Sequence, residues 1–147
     1  MKQVYHHPIE VLAEHIDMQG HVNNLVYLRW MQDAAVAHSL DRGWGRVQYE
    51  EMGCGWVVRS HQITYLHPAF ESESLEVVTW IDSFRRASCL RKYEIQRPSD
   101  KKILATAETS WAFLDLTRRL PTKVPREILE AFLPVDDVNL SAAGGTS

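Results

Sequence analysis

The feature of this sequence that most restricts its fold is a single long helical pattern followed only by strand-like segments. From residue 23 to about residue 41 the pattern is helical, and the asparagine pair at its start supplies an N-cap. One face carries Tyr27, Trp30, Met31, Ala34, Ala37 and His38, at spacings of three and four. Gly43 follows as a C-terminal stop. Val36 and Leu40 lie on the opposite face, which predicts an enclosed helix.

Strand-like segments dominate the chain after Gly55. They cover residues 56–67, 74–83, 87–97 and 102–116, with a hairpin turn at 97–100. In the last segment one face should carry Ile103, Ala105, Ala107, Thr109, Trp111 and Phe113. A first strand is expected within 5–16 and a short terminal helix within 125–134.

This order of elements predicts an α+β fold. A chain of 147 residues is long enough for one domain with a real core, which we expect over residues 1–135, followed by a flexible tail over 136–147. One helix covers a sheet of this size only in part. Association into an oligomer is therefore expected.

The composition argues against several classes of function. A net charge of −3 gives no basic field for nucleic acid. No apolar run approaches the roughly 20 residues of a membrane span, and the N-terminus lacks the apolar core of a signal peptide. Cys54 and Cys89 suit a reducing cytoplasm, and the histidines form no metal-ligand cluster. We expect a soluble cytoplasmic protein without a metal or cofactor.

The residues before the helix carry the densest polar chemistry in the chain. A helix N-terminus presents free backbone N–H groups, and these can stabilise an oxyanion on a carbonyl under attack. Asp17 lies seven residues before Asn24, on a loop that Gly20 folds back. Its carboxylate could reach the same carbonyl as nucleophile or as general base on water. This combination suits hydrolysis of a thioester.

The same residues also have purely structural interpretations. Asp17 can be a turn residue that binds its own backbone, and His21 can be a solvated loop histidine. His38 can be a buried core histidine whose ring nitrogens have hydrogen-bond partners. Tyr27 can be a core aromatic residue, and Asp33 a solvent-side or interface residue.

The pattern D-x-x-G-H-V-N-N-x-x-Y-x-x-W, from Asp17 to Trp30, resembles the hotdog-fold acyl-CoA thioesterases of the 4-hydroxybenzoyl-CoA thioesterase family. It is similar in particular to the Tol–Pal-associated acyl-CoA thioesterases. The similarity continues through "ITYLHPAFESESLEVVTWI" and "SWAFLDLTRRLPTKVP", and so covers nearly the whole chain short of the tail.

The resemblance implies a long helix wrapped by a curved antiparallel sheet, in dimers or dimers of dimers, with active sites at subunit interfaces. Asp17 falls on the family's catalytic aspartate. Asn24 falls where a backbone N–H polarises the thioester carbonyl. His21 is a third catalytic candidate, and Asn23 and Tyr27 are candidates for substrate binding.

Two departures from the family pattern stand out. Gln32 and Asp33 replace an acid-rich helix segment of many relatives, so Asp33 is only a backup catalytic acid. "ESES" at 71–74 replaces the usual "G-D", which we expect to change a turn and not the chemistry.

The implied substrate is an acyl-CoA, or alternatively an acyl-ACP, and coenzyme A brings phosphates that arginine binds well. The candidate phosphate ligands are Arg59, Arg85, Arg86, Ser88, Arg118 and Arg119. For each of them a solvated turn residue is an equal alternative.

Two other functions remain open. A hotdog hydratase or dehydratase would pair His21 with Asp33, but the dehydratase-like "H-P-x-x-P-G" is absent, and "HPAF" at 67–70 only echoes it. A non-catalytic acyl-thioester binding protein would use the same platform, because fold does not fix function.

Overall fold

A computed structural model gives the structure of the chain and describes residues 3–133. Its elements, in order, are β1 (Tyr5–Glu10), α1 (Asn24–Asp41), α2 (Arg46–Met52), β2 (Cys54–Tyr65), β3 (Ser74–Arg85), β4 (Ser88–Arg97), β5 (Lys102–Asp115), β6 (Leu120–Pro121) and α3 (Arg126–Phe132), with a 3₁₀ turn at Ala13–His15. The tail expected at 136–147 lies outside the described residues.

Helix α1 begins and ends where the sequence predicts. The Asn23 side chain accepts a hydrogen bond from the Leu25 N–H, and Gly43 follows the last turn with a φ of +87°. That φ lies in the left-handed region that favours glycine. The buried face carries Tyr27, Trp30, Met31, Ala34, Ala35 and His38.

The prediction of an enclosed helix is wrong for the single chain. Val36 is 68% exposed and Leu40 is 65% exposed, as is Leu25 at 75%. The sheet packs on only one side of α1, so within residues 3–133 no layer buries the opposite side. An uncovered apolar helix face of this kind is suited to association.

The strands form one antiparallel sheet in the order β1-β3-β4-β5-β2, with β6 added beside β5. β3, β4 and β5 are consecutive hairpins, and β1 and β2 form the two edges. The buried side of α1 packs on this curved sheet, and α3 closes a second apolar cluster around Phe113 and Ile128. The expected architecture of a long helix wrapped by a curved antiparallel sheet is confirmed.

Several boundaries differ from the prediction. The first strand ends at Glu10 instead of residue 16, because the chain turns there into the 3₁₀ segment Ala13–His15. The sequence gives no prediction for α2, a seven-residue helix that stops at Gly53 with a φ of +74°. The terminal helix expected within 125–134 is confirmed as α3.

A β-bulge changes the predicted face of β5. Ala105 pairs with Ile95, but the next pair joins Ile103 to Gln96, so Leu104 is the extra residue. Leu104 is fully buried, whereas Ile103 is 38% exposed. The predicted alternation is therefore right from residue 105 onward and wrong at Ile103.

Both cysteines, Cys54 and Cys89, carry free thiols. No helix among residues 3–133 is both long and apolar enough to cross a membrane. In the same residues no group of three or more His, Cys, Asp or Glu side chains could hold a metal ion.

Candidate active site

The loop before α1 is a tight turn closed by backbone hydrogen bonds. The Asp17 N–H donates to the His21 carbonyl and the Gly20 N–H donates to the Asp17 carbonyl, each over 3.0 Å. Ile16 and Val22 form an antiparallel bridge just outside these bonds. Gly20 has a φ of +85°, which only glycine adopts without strain. The predicted fold-back at Gly20 is confirmed.

The Asp17 carboxylate makes the local contact of a turn residue. One of its oxygens, Oδ1, accepts a hydrogen bond of 2.9 Å from the Gln19 N–H. The other oxygen has no hydrogen-bond partner within residues 3–133. The structural interpretation of Asp17 therefore accounts for one carboxylate oxygen and leaves the other available.

The start of α1 leaves the backbone N–H of Asn24 free. The Asn23 side chain satisfies the Leu25 N–H, and the Asn23 carbonyl accepts from the Val26 N–H over 2.9 Å. The Asn24 N–H has no acceptor within the described part of the chain. Because this donor sits at the positive end of an 18-residue helix, it favours a negative ligand atom.

A cleft with a volume of about 210 Å³ adjoins this helix end. Its lining residues are His21, Val22, Asn24, Tyr27, Tyr65, Leu66, His67 and Pro68. The structure thus brings together three of the predicted site residues: His21, Asn24 and Tyr27. Asp17 does not line this cleft, and Asn23 serves as the helix cap.

Two tyrosines form one wall of the cleft. The Tyr65 hydroxyl donates to the Asn24 carbonyl over 3.0 Å, and the rings of Tyr27 and Tyr65 lie 5.3 Å apart between centroids. Burial raises the pKa of both hydroxyls, although a backbone hydrogen bond at Ala69 partly opposes this for the pKa of Tyr27. Both hydroxyls therefore stay protonated and act as donors near neutral pH.

The residues from Tyr65 to Pro68 are site residues that the sequence interpretation missed. The strand predicted to run to His67 ends at Tyr65, because the N–H groups of Leu66 and His67 both donate to the Leu104 carbonyl, over 2.8 and 3.1 Å. The only local signal for this loop is Pro68, which cannot continue a central strand.

The next turn supports the floor of the cleft. The Ala69 carbonyl accepts from the Val22 N–H over 2.9 Å, which ties this turn to the loop before α1. Glu71 and Ser72 form a turn before β3, with Ser72 at a φ of +71°. Glu73 accepts from the Phe70 N–H and from Arg97.

The predicted phosphate ligands lie away from the cleft within one chain. Arg85 ends β3, Arg86 lies in the β3–β4 turn and Ser88 begins β4, whereas Arg118 and Arg119 follow β5. The pairing of Cys54 with Asp115 places this basic group beside the start of β2. Tyr65 ends the same strand, eleven residues and about 36 Å away at the rise of an extended strand.

Two more predicted residues lie outside the cleft. Arg59 is exposed on β2, at the register shift between Val58 and Ser60. Asp33 is exposed on α1 and makes no hydrogen bond or ion pair within residues 3–133. The structure therefore does not bring Asp33 into contact with His21.

Solved structures share this architecture. The 1,4-dihydroxy-2-naphthoyl-CoA thioesterase Slr0204 from Synechocystis superposes with a TM-score of 0.84 at 18% identity, over 91% of this chain and 98% of that one. The probable thioesterase YbaW from Escherichia coli gives a TM-score of 0.80 at 22% identity, over 88% and 99%. SAV2348 from Staphylococcus aureus, solved in complex with CoA, gives 0.83 at 17% identity, over 89% and 82%.

These similarities to solved structures establish the hotdog fold. Comparison with curated protein sequences returns no match. The family profile described as the thioesterase-like superfamily matches residues 11–132, which is most of the chain. The chain therefore belongs to the thioesterase-like superfamily, and it is a thioester hydrolase built on the hotdog fold.

Proposed function

We propose that the cleft at the α1 N-terminus hydrolyses acyl-CoA thioesters to a free acid and CoA. The observation that carries this proposal is the unpartnered N–H of Asn24, a residue that lines the cleft from the first turn of α1. When a thioester carbonyl is attacked, its oxygen becomes negative, and this donor and the helix dipole stabilise that charge.

Asp17, on the turn that ends at His21 in the cleft wall, supplies the attacking chemistry in this proposal. Its free carboxylate oxygen either removes a proton from the attacking water or attacks the carbonyl carbon itself. In the first route the water oxygen bonds to the carbonyl carbon; in the second the carboxylate forms a mixed anhydride, which water then hydrolyses to the free acid and Asp17. In both routes the C–S bond breaks and CoA leaves as a thiolate. His21, in the wall of the cleft, is the candidate that returns a proton to this thiolate.

Tyr65 and Asn23 position the oxyanion donor. The Tyr65 hydroxyl holds the Asn24 carbonyl, and the Asn23 side chain fixes the next N–H of the helix. Both contacts restrict the Asn24 peptide groups, so the free N–H keeps one direction as charge develops. A preorganised donor of this kind stabilises the transition state without having to reorient.

The carrier that we propose is coenzyme A, with acyl-ACP as the alternative. One structural neighbour, SAV2348, was solved with CoA bound. The basic residues around Arg85, Arg86, Arg118 and Arg119 suit the CoA phosphates, but they lie at the opposite end of the sheet from the cleft within one chain.

A homodimer resolves this separation. β2 is an edge strand whose outer side is unpaired in the described chain. If two β2 edges pair antiparallel about a two-fold axis, the start of the partner strand lies beside Tyr65, and its basic group comes to the cleft. We therefore propose a dimer, or a dimer of dimers, in which one subunit supplies the cleft and its partner supplies the phosphate ligands.

A hydratase or dehydratase is not favoured by this geometry, because His21 and Asp33 are not in contact.

We further propose a cytoplasmic location, which the free thiols of Cys54 and Cys89 support. Fractionation of the native protein tests the location.

The deciding experiment measures free-thiol release from short, long, branched and aromatic acyl-CoAs by the wild-type protein and Asp17→Asn. The asparagine oxygen can still accept the Gln19 N–H, so the turn is retained while the carboxylate is lost. We expect kcat to fall at least about 100-fold. Asp33→Asn is the matched control and should keep wild-type turnover. Equal turnover by wild type and Asp17→Asn would rule out the proposed role of Asp17, and binding of acyl-CoA without any turnover would indicate a binding protein.

A further inference from the structure

A second and larger cavity lies between the end of α1, α2 and the sheet. Its volume is about 500 Å³, within the range of roughly 300–1,000 Å³ typical of small-molecule sites. Most of its wall is apolar or aromatic, including Ala35, Leu40, Trp44, Trp56, Trp111 and Phe132. Leu40 is exposed at the rim, whereas Ala35 and Phe132 are buried. The cavity therefore opens between α1 and α2 and closes against the sheet.

Arg91, on β4, is the buried charge in this cavity. The residue is only 5% exposed. Its Nη1 donates to His38 Nδ1 over 2.9 Å and to Thr79 Oγ1 over 3.1 Å. Thr79 can accept because its hydroxyl proton goes to the Lys92 carbonyl. Burial, with Arg91 and Arg42 nearby, lowers the pKa of His38 to about 3, so His38 is a neutral acceptor.

The positive charge of Arg91 has no anionic partner within residues 3–133. The ionisable groups that act on it, Tyr49, Cys89 and Tyr93, all have pKa values raised by burial, that of Cys89 to about 12. They are neutral at physiological pH. A guanidinium has five N–H donors, and those on Nε and Nη2 have no acceptor in the described chain.

We propose that this cavity binds a small carboxylic acid with an apolar body, whose carboxylate pairs with Arg91. A carboxylate matches the guanidinium fork and neutralises a single buried charge, while the aromatic walls enclose the apolar body. A neutral ligand would leave the charge unpaired, which is unfavourable in an apolar interior. This binding does not depend on hydrolysis at the cleft beside Asn24.

Octanoate and its neutral isostere octanamide test the proposal directly. Trp44, Trp56 and Trp111 line the cavity, so quenching of tryptophan fluorescence reports occupancy, and calorimetry gives an independent affinity. We expect octanoate to bind at least about tenfold more tightly than octanamide, which is a typical effect of a charge-assisted pair. Equal affinity for the two ligands, or binding of neither, would overturn the proposal.

Three variants separate the carboxylate contact from other effects. Arg91→Met removes the charge at similar volume and should reduce the preference for octanoate to within about twofold. Arg46→Met is the matched control, because this rim arginine is already paired with Glu50, and the preference should persist. Ala35→Leu should weaken both ligands about tenfold or more by filling the cavity. If Arg91→Met does not fold, the affinities of the wild-type protein for octanoate and octanamide, together with those of Ala35→Leu, still test the proposal.

The carboxylate can come from a free acid or from the far end of an acyl thioester bound in the cleft of a partner subunit, because the proposed β2–β2 pairing places the start of β2, with Trp56 of this cavity, beside that cleft. The rate of octanoyl-CoA hydrolysis is compared with that of the half-ester, the CoA thioester of one carboxyl group of the eight-carbon dicarboxylic acid. This comparison rests on the proposed function. A drop in kcat/KM of tenfold or more in Arg91→Met, for the half-ester alone, identifies the distal carboxylate. Octanoate binding with no such drop identifies the free acid. Failure to hydrolyse octanoyl-CoA counts against the proposed function and leaves the binding result intact.

A remaining source of negative charge is the chain itself. Asp136 and Asp137 follow in the sequence, outside the described residues. In the Asp136→Asn/Asp137→Asn protein the octanoate affinity should be unchanged. A rise of about tenfold would overturn the proposal, because the chain would then supply the anion for Arg91.

Discussion

The hydroxyl of Tyr65 donates a hydrogen bond to the backbone carbonyl of Asn24 over 3.0 Å, and this bond ties the end of β2 to the first turn of α1. The two residues are 41 positions apart in the sequence. Tyr65→Phe removes the bond and keeps the ring that packs on Tyr27. We expect a loss in unfolding free energy of about 0.5–1.5 kcal/mol, at the lower end because Tyr65 is 41% exposed. Urea denaturation measures it. A kcat reduced several-fold with KM unchanged would support positioning, and an unchanged kcat would contradict it.

The Asn24 N–H can be removed without disturbing the helix. Asn24→Pro places proline at the first helical position, where it is tolerated, and Asn23 already has the extended conformation that precedes proline, with a φ of −61° and ψ of 135°. We expect kcat to fall about 100- to 1,000-fold, as when an oxyanion donor is lost. Asn24→Ala keeps the N–H and should stay within a few-fold of wild type in the same thiol-release assay. Similar rates in the two variants would exclude the backbone donor.

Two glycines at opposite ends of α1 separate loss of stability from loss of activity. Gly20 and Gly43 have φ values of +85° and +87°, and an added Cβ would meet no atom within 4 Å at either position. Alanine at either site should therefore cost about 1–2 kcal/mol through backbone strain alone. Only Gly20→Ala should also lower kcat, since it moves the Asp17 turn. Thermal unfolding and turnover are measured together, and equal activity losses in both variants would contradict this assignment.

His38 should make the protein sensitive to mild acid. Burial, Arg91 and Arg42 lower its folded-state pKa from 6.5 to about 3, so the unfolded chain takes up the proton first. The stabilisation of the fold that depends on neutral His38 is fully present above about pH 6.5 and is lost progressively as the pH falls toward 3. Between pH 6.5 and 5 we expect a loss of about 1.5–2 kcal/mol. Denaturation curves of His38→Asn, whose oxygen can still accept from Arg91, should lack this part of the slope. Parallel pH profiles would refute it.

The basic group beside the start of β2 should affect recognition of the nucleotide and not the chemical step. If a partner subunit brings Arg118 to the cleft, Arg118→Ala should raise KM for acyl-CoA about fivefold, the effect of one exposed charged contact. The matching N-acetylcysteamine thioester carries no phosphate, so its KM should not change. An equal rise for both substrates would count against a phosphate contact. Sedimentation of the same samples checks the dimer.

Local signals made α1 predictable. The Asn23 cap, the three-and-four spacing of its buried face and Gly43 are all encoded within the helix or next to it. The extra residue at Leu104 is different, because its burial depends on how β5 registers with β4. The exposure of Val36 and Leu40 also follows from the sheet covering only one side of α1, which residue spacing does not specify.

The candidate site was predictable only where local sequence determines its structure. The turn at Gly20 and the free donor of Asn24 follow from a short stretch of sequence. Tyr65 and His67 reach the cleft through the pairing of β2 with β5 and the bonds to Leu104. Arg91 and His38 are 53 positions apart, and no sequence pattern near either residue predicts their contact.

The strand order has a consequence for how the chain reaches its native state. The β3–β4–β5 hairpins join neighbouring segments, whereas partners in the β2–β5 ladder lie 40 to 61 residues apart. Closing the longer loop has the larger entropic cost, so we expect the central hairpins to form early and β2 to dock late. Destabilising substitutions in β2 should then mainly speed unfolding, whereas equivalent ones in β4 should slow folding. Because the wall that Tyr65 provides comes with β2, the cleft would be among the last parts of the molecule to become competent.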